Sequence, residues 1–187
     1  GVVLIMSPWN YPVLLTLEPL IGAIAAGNCA VGKPSAYSPE TSAVMQKLIS
    51  ETFDPEYIAV VTGGRTENAD LLEQKFDYIF FTGGVTVGKL VMEKASKHLT
   101  PVTLELGGKS PCIIDHTANL RIAARRITFG KFLNCGQTCI APDYVLVEKS
   151  VHDEFVKLLK EETIKMYGED IFANKDYGKM VNQKHFD

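Results

Sequence analysis

Short runs of consecutive apolar residues alternate along the chain with longer stretches in which apolar residues recur every three or four positions. The first pattern predicts buried strands and the second amphipathic helices. VVLIM at 2–6 is a buried-strand run that ends at Ser7-Pro8. Residues 13–26 carry a helical pattern that stops at Gly27. NCAVGKP predicts a second strand, closed by Pro34. Ser38-Pro39 opens a helix to residue 52, with serine as N-cap and proline in the first turn. Residues 57–63 predict a third strand, and Thr66 is placed to cap a short helix over 67–75. DYIFFTGG, at 77–84, predicts a strand rich in β-formers, followed by a helix over 85–98. PVTLELGG and SPCIID read as extended. A basic amphipathic helix is expected over 119–132, a strand over 144–149 and a helix over 151–167.

Strands separated by helices of this length imply βαβ units, a mostly parallel sheet and right-handed crossovers. The fold class is therefore α/β. The glycine pair Gly107-Gly108 offers the turn chemistry for a change of domain, which divides the chain into 1–108 and 109–187.

Composition narrows the function classes. The 187 residues are 46% hydrophobic and 22% charged, with 19 basic and 22 acidic side chains and a net charge of −3. No basic stripe points to nucleic acid. The longest apolar stretch, 13–26, is broken by Thr16, Glu18, Pro19 and Gly22, too short and interrupted for a membrane span. Four unevenly spaced cysteines do not form a disulfide framework, so a reducing, cytoplasmic setting is expected. The first residues read as a strand already under way, so a segment of a longer protein is expected.

In open α/β sheets, ligands bind beyond the carboxyl ends of the strands, so chemistry is sought there. FTGGVTVGK sets Gly83, Gly84 and Gly88 between a strand and a helix, where free N–H groups and the helix dipole favour an anion. Its spacing matches neither common phosphate-loop pattern, and a plain tight turn is the competing reading. Lys33 in GKPSA can donate to phosphate or ribose oxygens; an ordinary surface lysine is the alternative. Asn10 in SPWNYP sits beside Trp9 and between two prolines. It can cap the next helix or aim its amide at a developing oxyanion. Glu105 lies inside an apolar run, TLELGG. Burial there would disfavour its charged form and suit a general base, whereas a paired structural carboxylate is the alternative.

Cys29 and Cys112 lie in strand-like runs and are expected to pack as small hydrophobes. Cys135 and Cys139 flank Gly-Gln-Thr. His98, His116, His152 and His185 are scattered, none of them near this segment, so no metal site is expected. A reactive cysteine on a glycine-containing loop remains as a candidate.

Taken in order, PWNYP, KPS, FTGG…VGK, TLELGGKSP and NCGQTCIAPDY resemble the aldehyde dehydrogenase family over essentially the whole chain, and within it the class 3 branch that accepts fatty and aromatic aldehydes. The resemblance implies a Rossmann-like NAD(P)-binding domain over 1–108 and the start of a second α/β catalytic domain over 109–187. It implies that Cys139 is the nucleophile, Asn10 the oxyanion donor and Glu105 the base for the deacylating water. Lys33, Ser35, Gly83, Gly84, Gly88, Gly107 and Trp9 would contact NAD or NADP, and Gly108 stands with Gly107 in the motif. Tyr11, Phe129 and Phe132 are placed as walls of an apolar substrate tunnel, with core packing as the alternative. A medium- or long-chain aliphatic or aromatic aldehyde and a homodimer follow from the same resemblance.

The chain departs from the family pattern at Lys33-Pro34-Ser35-Ala36, where a glutamate often follows the serine. Its loss removes a ribose-hydroxyl acceptor and a repulsion against a 2′-phosphate, so acceptance of NADP is expected. Family members are more than twice this long. The isolated segment is therefore expected to leave apolar faces uncovered and to be inactive, and a membrane-anchoring tail could lie outside it. A CoA-acylating relative and a catalytically inactive cofactor-binding segment are the competing functions; Glu105 argues against the first and the retained chemical residues against the second.

Overall fold

Strand β1 (Val2–Met6) is the centre around which the first half of the chain is laid down. Its residues point alternately to two faces, as a strand's period of two requires. Val3 and Ile5 join one buried cluster and Leu4 and Met6 another. Burial on both faces explains the unbroken apolar run. Full burial of a leucine or isoleucine stabilises by about 1.5–3 kcal/mol, and Leu4 and Ile5 are among the largest fully buried side chains. The computed structural model describes all residues from Gly1 to Asp187. These form two units, Gly1–Leu106 and Gly107–Asp187.

In the first unit β1 pairs in parallel with β2 (Cys29–Lys33) and β4 (Tyr78–Thr82), β2 with β3 (Ile58–Val60), and β4 with β5 (Val102–Glu105). The sheet order β3-β2-β1-β4-β5 is that of a doubly wound dinucleotide-binding sheet without its sixth strand. Helices α1 (Leu14–Ala25) and α2 (Pro39–Thr52) supply Leu20, Ala23 and Ile49 to one face. Helices α3 (Arg65–Leu72) and α4 (Val85–Ser96) supply Leu72, Val91 and Ala95 to the other.

Two expected caps are replaced. Helix α3 starts two residues earlier than Thr66 would start it, with Gly64 in the N-cap position. Glu67 reaches back, and its Oε2 accepts from the Gly64 N–H at 2.6 Å. Ser38 precedes Pro39 as expected, but its hydroxyl does not cap α2; it donates to the Ser35 carbonyl at 3.4 Å, which also accepts from Ser42 Oγ at 2.8 Å. Strand β3 is three residues long rather than seven.

In the second unit β6 (Ser110–Ile114) pairs in parallel with β7 (Pro142–Val147). Helix α5 (Leu120–Phe132) is capped by Asn119, whose Oδ1 accepts from the Ile122 N–H at 3.1 Å. Helix α6 (His152–Tyr167) packs on α5, and Ile114, Ala124, Phe155 and Leu158 form the buried centre.

Candidate active site

The first unit gathers four of the singled-out positions along one edge of its sheet. Lys33 ends β2, Asn10 follows β1, Gly83 follows β4 and Glu105 ends β5. Register pairs Met6 with Lys33 and Thr82 with Glu105, so these strands end nearly level. The edge is the carboxyl one, and the strand order reverses between β1 and β4, where the Asn10 loop and the Gly83 turn emerge. Doubly wound sheets bind their ligands at this switch point.

The loop over 7–12 is tied at its base. Ser7 donates its N–H to the Lys33 carbonyl at 3.2 Å. The buried hydroxyls of Ser7 and Thr16 lie 2.5 Å apart, and Thr16 Oγ1 donates to the Pro12 carbonyl at 2.6 Å. Both ends of the segment holding Trp9, Asn10 and Tyr11 are thus fixed to β2 and α1. The three side chains are half-buried.

Lys33 is not the surface lysine that its type favours; it is only 2% exposed. Its ammonium donates to the Gly63 carbonyl at 2.7 Å and the Pro34 carbonyl at 3.0 Å. Burial lowers its pKa, opposed by the nearby Glu67 carboxylate. A buried ammonium needs such partners, and they fix the direction of the side chain. Beside it, Ser35 Oγ accepts from the Tyr37 N–H at 3.2 Å, and Ala36 is exposed.

At the Gly83 turn, the Gly83 N–H donates to the Glu105 carbonyl at 2.9 Å, locking the turn to β5. A β-carbon on Gly83 would stand 2.5 Å from the ring of buried Phe81, so glycine is required by close packing. Gly84, with open space on its Cβ side, is the N-cap of α4. No side chain caps α4 there and its first turn holds no acidic residue, an arrangement that suits an anion. Gly88 is buried in α4. The Glu105 side chain is exposed rather than enclosed by its apolar neighbours, because β5 is the edge strand of this sheet.

The second unit carries the cysteine loop. After α5 the backbone turns left-handed at Asn134 (φ 52°), Cys135 (φ 57°) and Gly136 (φ 76°). Such angles cost non-glycine residues roughly 1–2 kcal/mol each, so contacts must hold the turn. Gln137 N–H donates to the Asn134 carbonyl at 3.1 Å, and Thr138 N–H to the Gly136 carbonyl at 2.9 Å. Cys135 is half-buried, with its thiol donating to Tyr177 Oη at 3.3 Å. Cys139 is exposed in the following turn. The two cysteines therefore differ: one is engaged with a phenol, the other open to a reactant.

Gly107 has open space where a side chain would be, while Gly108 lies directly against the Cys139 carbonyl. Phe132 packs edge-on against Tyr167 and Tyr177, with ring centres 5.5 and 6.3 Å away. It also lines an apolar groove of about 450 Å³ with Ile127, Val145, Val156 and Leu159. Phe129 is exposed on α5 and, like Cys139, is not part of that groove. The sequence reading missed Thr16, Glu67 and Gln137, whose side chains shape the backbone around these positions; only Glu67 left a local signal, three residues after its cap.

The whole chain, residues 1–187, matches the aldehyde dehydrogenase family. It is 54% identical over 186 residues to aldehyde dehydrogenase family 3 member A2 of Mus musculus, covering 100% of this chain and 38% of that protein. It is 50% identical over 186 residues to the mouse aldehyde dehydrogenase described as dimeric and NADP-preferring, covering 100% of this chain and 41% of the relative. Among solved structures, the substrate-bound state of Staphylococcus aureus AldH superposes with a TM-score of 0.93 at 53% identity, over 100% of this chain and 41% of that one. The chain thus spans about two fifths of the length of the relatives it matches. It belongs to the aldehyde dehydrogenase family.

Proposed function

We propose that the protein carrying these residues oxidises an aldehyde to a carboxylic acid through Cys139, with NAD or NADP as hydride acceptor. The observation that supports this best is the row of Lys33, Asn10, the Gly83-Gly84 turn and Glu105 along one carboxyl edge of a doubly wound sheet. The resemblance to the family supplies the part proposed for each residue. Lys33, with its ammonium held by two carbonyls, would orient the adenosine ribose, next to Ser35. The uncapped start of α4, behind Gly83 and Gly84, would receive the pyrophosphate. The dinucleotide supplies the site that accepts hydride; the other steps fall to the chain.

In this reading the Cys139 thiolate attacks the aldehyde carbon. The Asn10 amide and the Cys139 N–H steady the oxyanion of the thiohemiacetal. After hydride departs, a thioester remains on Cys139. Glu105 takes a proton from water, which attacks the thioester and releases the acid and the free thiol. A thiol nucleophile must stay reduced, which fits a cytoplasmic setting. A medium- or long-chain aliphatic or aromatic aldehyde and a homodimer complete the proposal; the mouse relative described as dimeric supports the second of these.

The test is turnover of the full-length protein that carries these residues with hexanal or benzaldehyde and either dinucleotide, followed by absorbance of the reduced cofactor. Reduction without added CoA supports hydrolytic release. Reduction only with CoA would replace water by CoA as the acyl acceptor, and none with any aldehyde would reject the proposal.

A further inference from the structure

Gln137 uses its whole side-chain amide to bind the main chain. Nε2 donates to the Asn134 carbonyl at 2.9 Å and to the Lys179 carbonyl at 3.2 Å. Oε1 accepts from the Val181 N–H at 3.0 Å. The amide thus completes a strand-like pair with residues 179 and 181, more than forty positions away, while bracing the left-handed turn at Asn134. The partner segment is itself anchored. Asn174 Nδ2 donates to the Tyr167 carbonyl at the end of α6 at 2.8 Å, and its Oδ1 accepts from the N–H groups of Asp176 and Tyr177 at 2.7 and 3.1 Å. Tyr177 stacks edge-on against Tyr167 and Phe132, with its hydroxyl on Cys135.

We propose that Gln137 is a positioning residue for the reaction: its amide clamps the loop over 134–139 to the 174–181 segment and so fixes where Cys139 presents its thiol. The inference rests on Cys139 being the nucleophile. A loop with three consecutive left-handed residues and an exposed thiol has several conformations available. Nucleophile placement is sensitive, since a misplacement of about 1 Å costs on the order of a hundredfold in rate.

The test compares wild type, Gln137→Met and Gln137→Glu in the full-length protein that carries these residues. Methionine keeps the volume and removes all three hydrogen bonds. Glutamate keeps the acceptor for Val181 and removes both donors. Measured are kcat, KM for the dinucleotide, the rate of inactivation by iodoacetamide, and the melting temperature. Gln137→Met is expected to lower kcat and the inactivation rate by about tenfold or more, with KM for the dinucleotide changed less than about twofold. Gln137→Glu is expected to recover towards wild type as pH falls and its carboxyl regains a donor. Values within about twofold of wild type for both variants, or losses that match the loss of folded protein, would overturn the proposal. Unfolding of both variants would also overturn it, by making the amide a requirement of the fold. Failure of the underlying reading is separate: it would appear as retained turnover in Cys139→Ala.

Discussion

The α-carbon of Gly108 lies so close to the main-chain carbonyl of Cys139 that a β-carbon there would stand 2.5 Å from the oxygen. The obstacle is backbone, which cannot swing aside as a flexible side-chain end can. Gly108→Ala should therefore displace the Cys139 turn. We expect kcat to fall by about tenfold or more, with a smaller effect on KM for the dinucleotide. Steady-state kinetics on the full-length protein checks this; unchanged kcat would show that the loop yields without moving the thiol.

Ala36 is exposed directly after Ser35, where many relatives are expected to carry a glutamate. With Lys33 held close by and alanine at position 36, a 2′-phosphate meets a cation without the repulsion of a carboxylate at that position. Ala36→Glu should lower kcat/KM for NADP by about tenfold, or ~1.4 kcal/mol, without a matching loss for NAD. An unchanged ratio of the two specificity constants would contradict this role.

Glu148 and His116 provide a pH-dependent tie outside the candidate site. The Glu148 carboxylate accepts from Ser150 Oγ at 2.7 Å and from the ring and main-chain N–H groups of His116, both at 2.8 Å. Ser150 and then His116 pull its pKa from 4.5 down to about 2. The same pairing raises His116 above 6.5. A carboxyl depressed by folding contributes fully above 4.5 and loses its contribution as pH falls towards about 2. An imidazole raised by folding contributes fully below 6.5 and loses that as pH climbs through its raised value. Both conditions hold between 4.5 and 6.5. The melting-temperature gap between wild type and Glu148→Gln should be widest in that window and shrink on either side. The gap should be modest, because both groups are exposed. A gap independent of pH would mean that the variant acts by packing alone.

The parts of this structure that were legible in the sequence are those with a local signature. VVLIM and YIFFT announced strands buried on both faces, and their spacing by helices announced a parallel sheet. The basic amphipathic helix expected over 119–132 is α5 at Leu120–Phe132, with Asn119 as its cap rather than its first residue. Motif order gave the candidate site, since Asn10, Lys33, Gly83 and Glu105 each follow or end a strand. What escaped depends on contacts distant in sequence. Gln137 meets residues 42 and 44 positions away, which no local periodicity records. Lys33 sits in a run whose burial only the assembled sheet reveals. Thr66 lost its expected role because the Glu67 carboxylate reaches the Gly64 N–H. Glu105 looked enclosed by leucines, but the end of an edge strand leaves its side chain exposed.

The central claim, that Cys139 and not Cys135 carries the acyl group, is tested most directly by comparing Cys139→Ala with Cys135→Ser in the full-length protein. Serine keeps a donor for Tyr177 and so preserves the turn. Each variant is mixed with aldehyde and dinucleotide, quenched during turnover, and fragmented to locate the acyl adduct by mass. The account predicts an adduct on Cys139 in wild type and Cys135→Ser, with reduced cofactor formed in both. It predicts neither adduct nor reduced cofactor in Cys139→Ala. An adduct on Cys135, or sustained turnover without the Cys139 thiol, would contradict it.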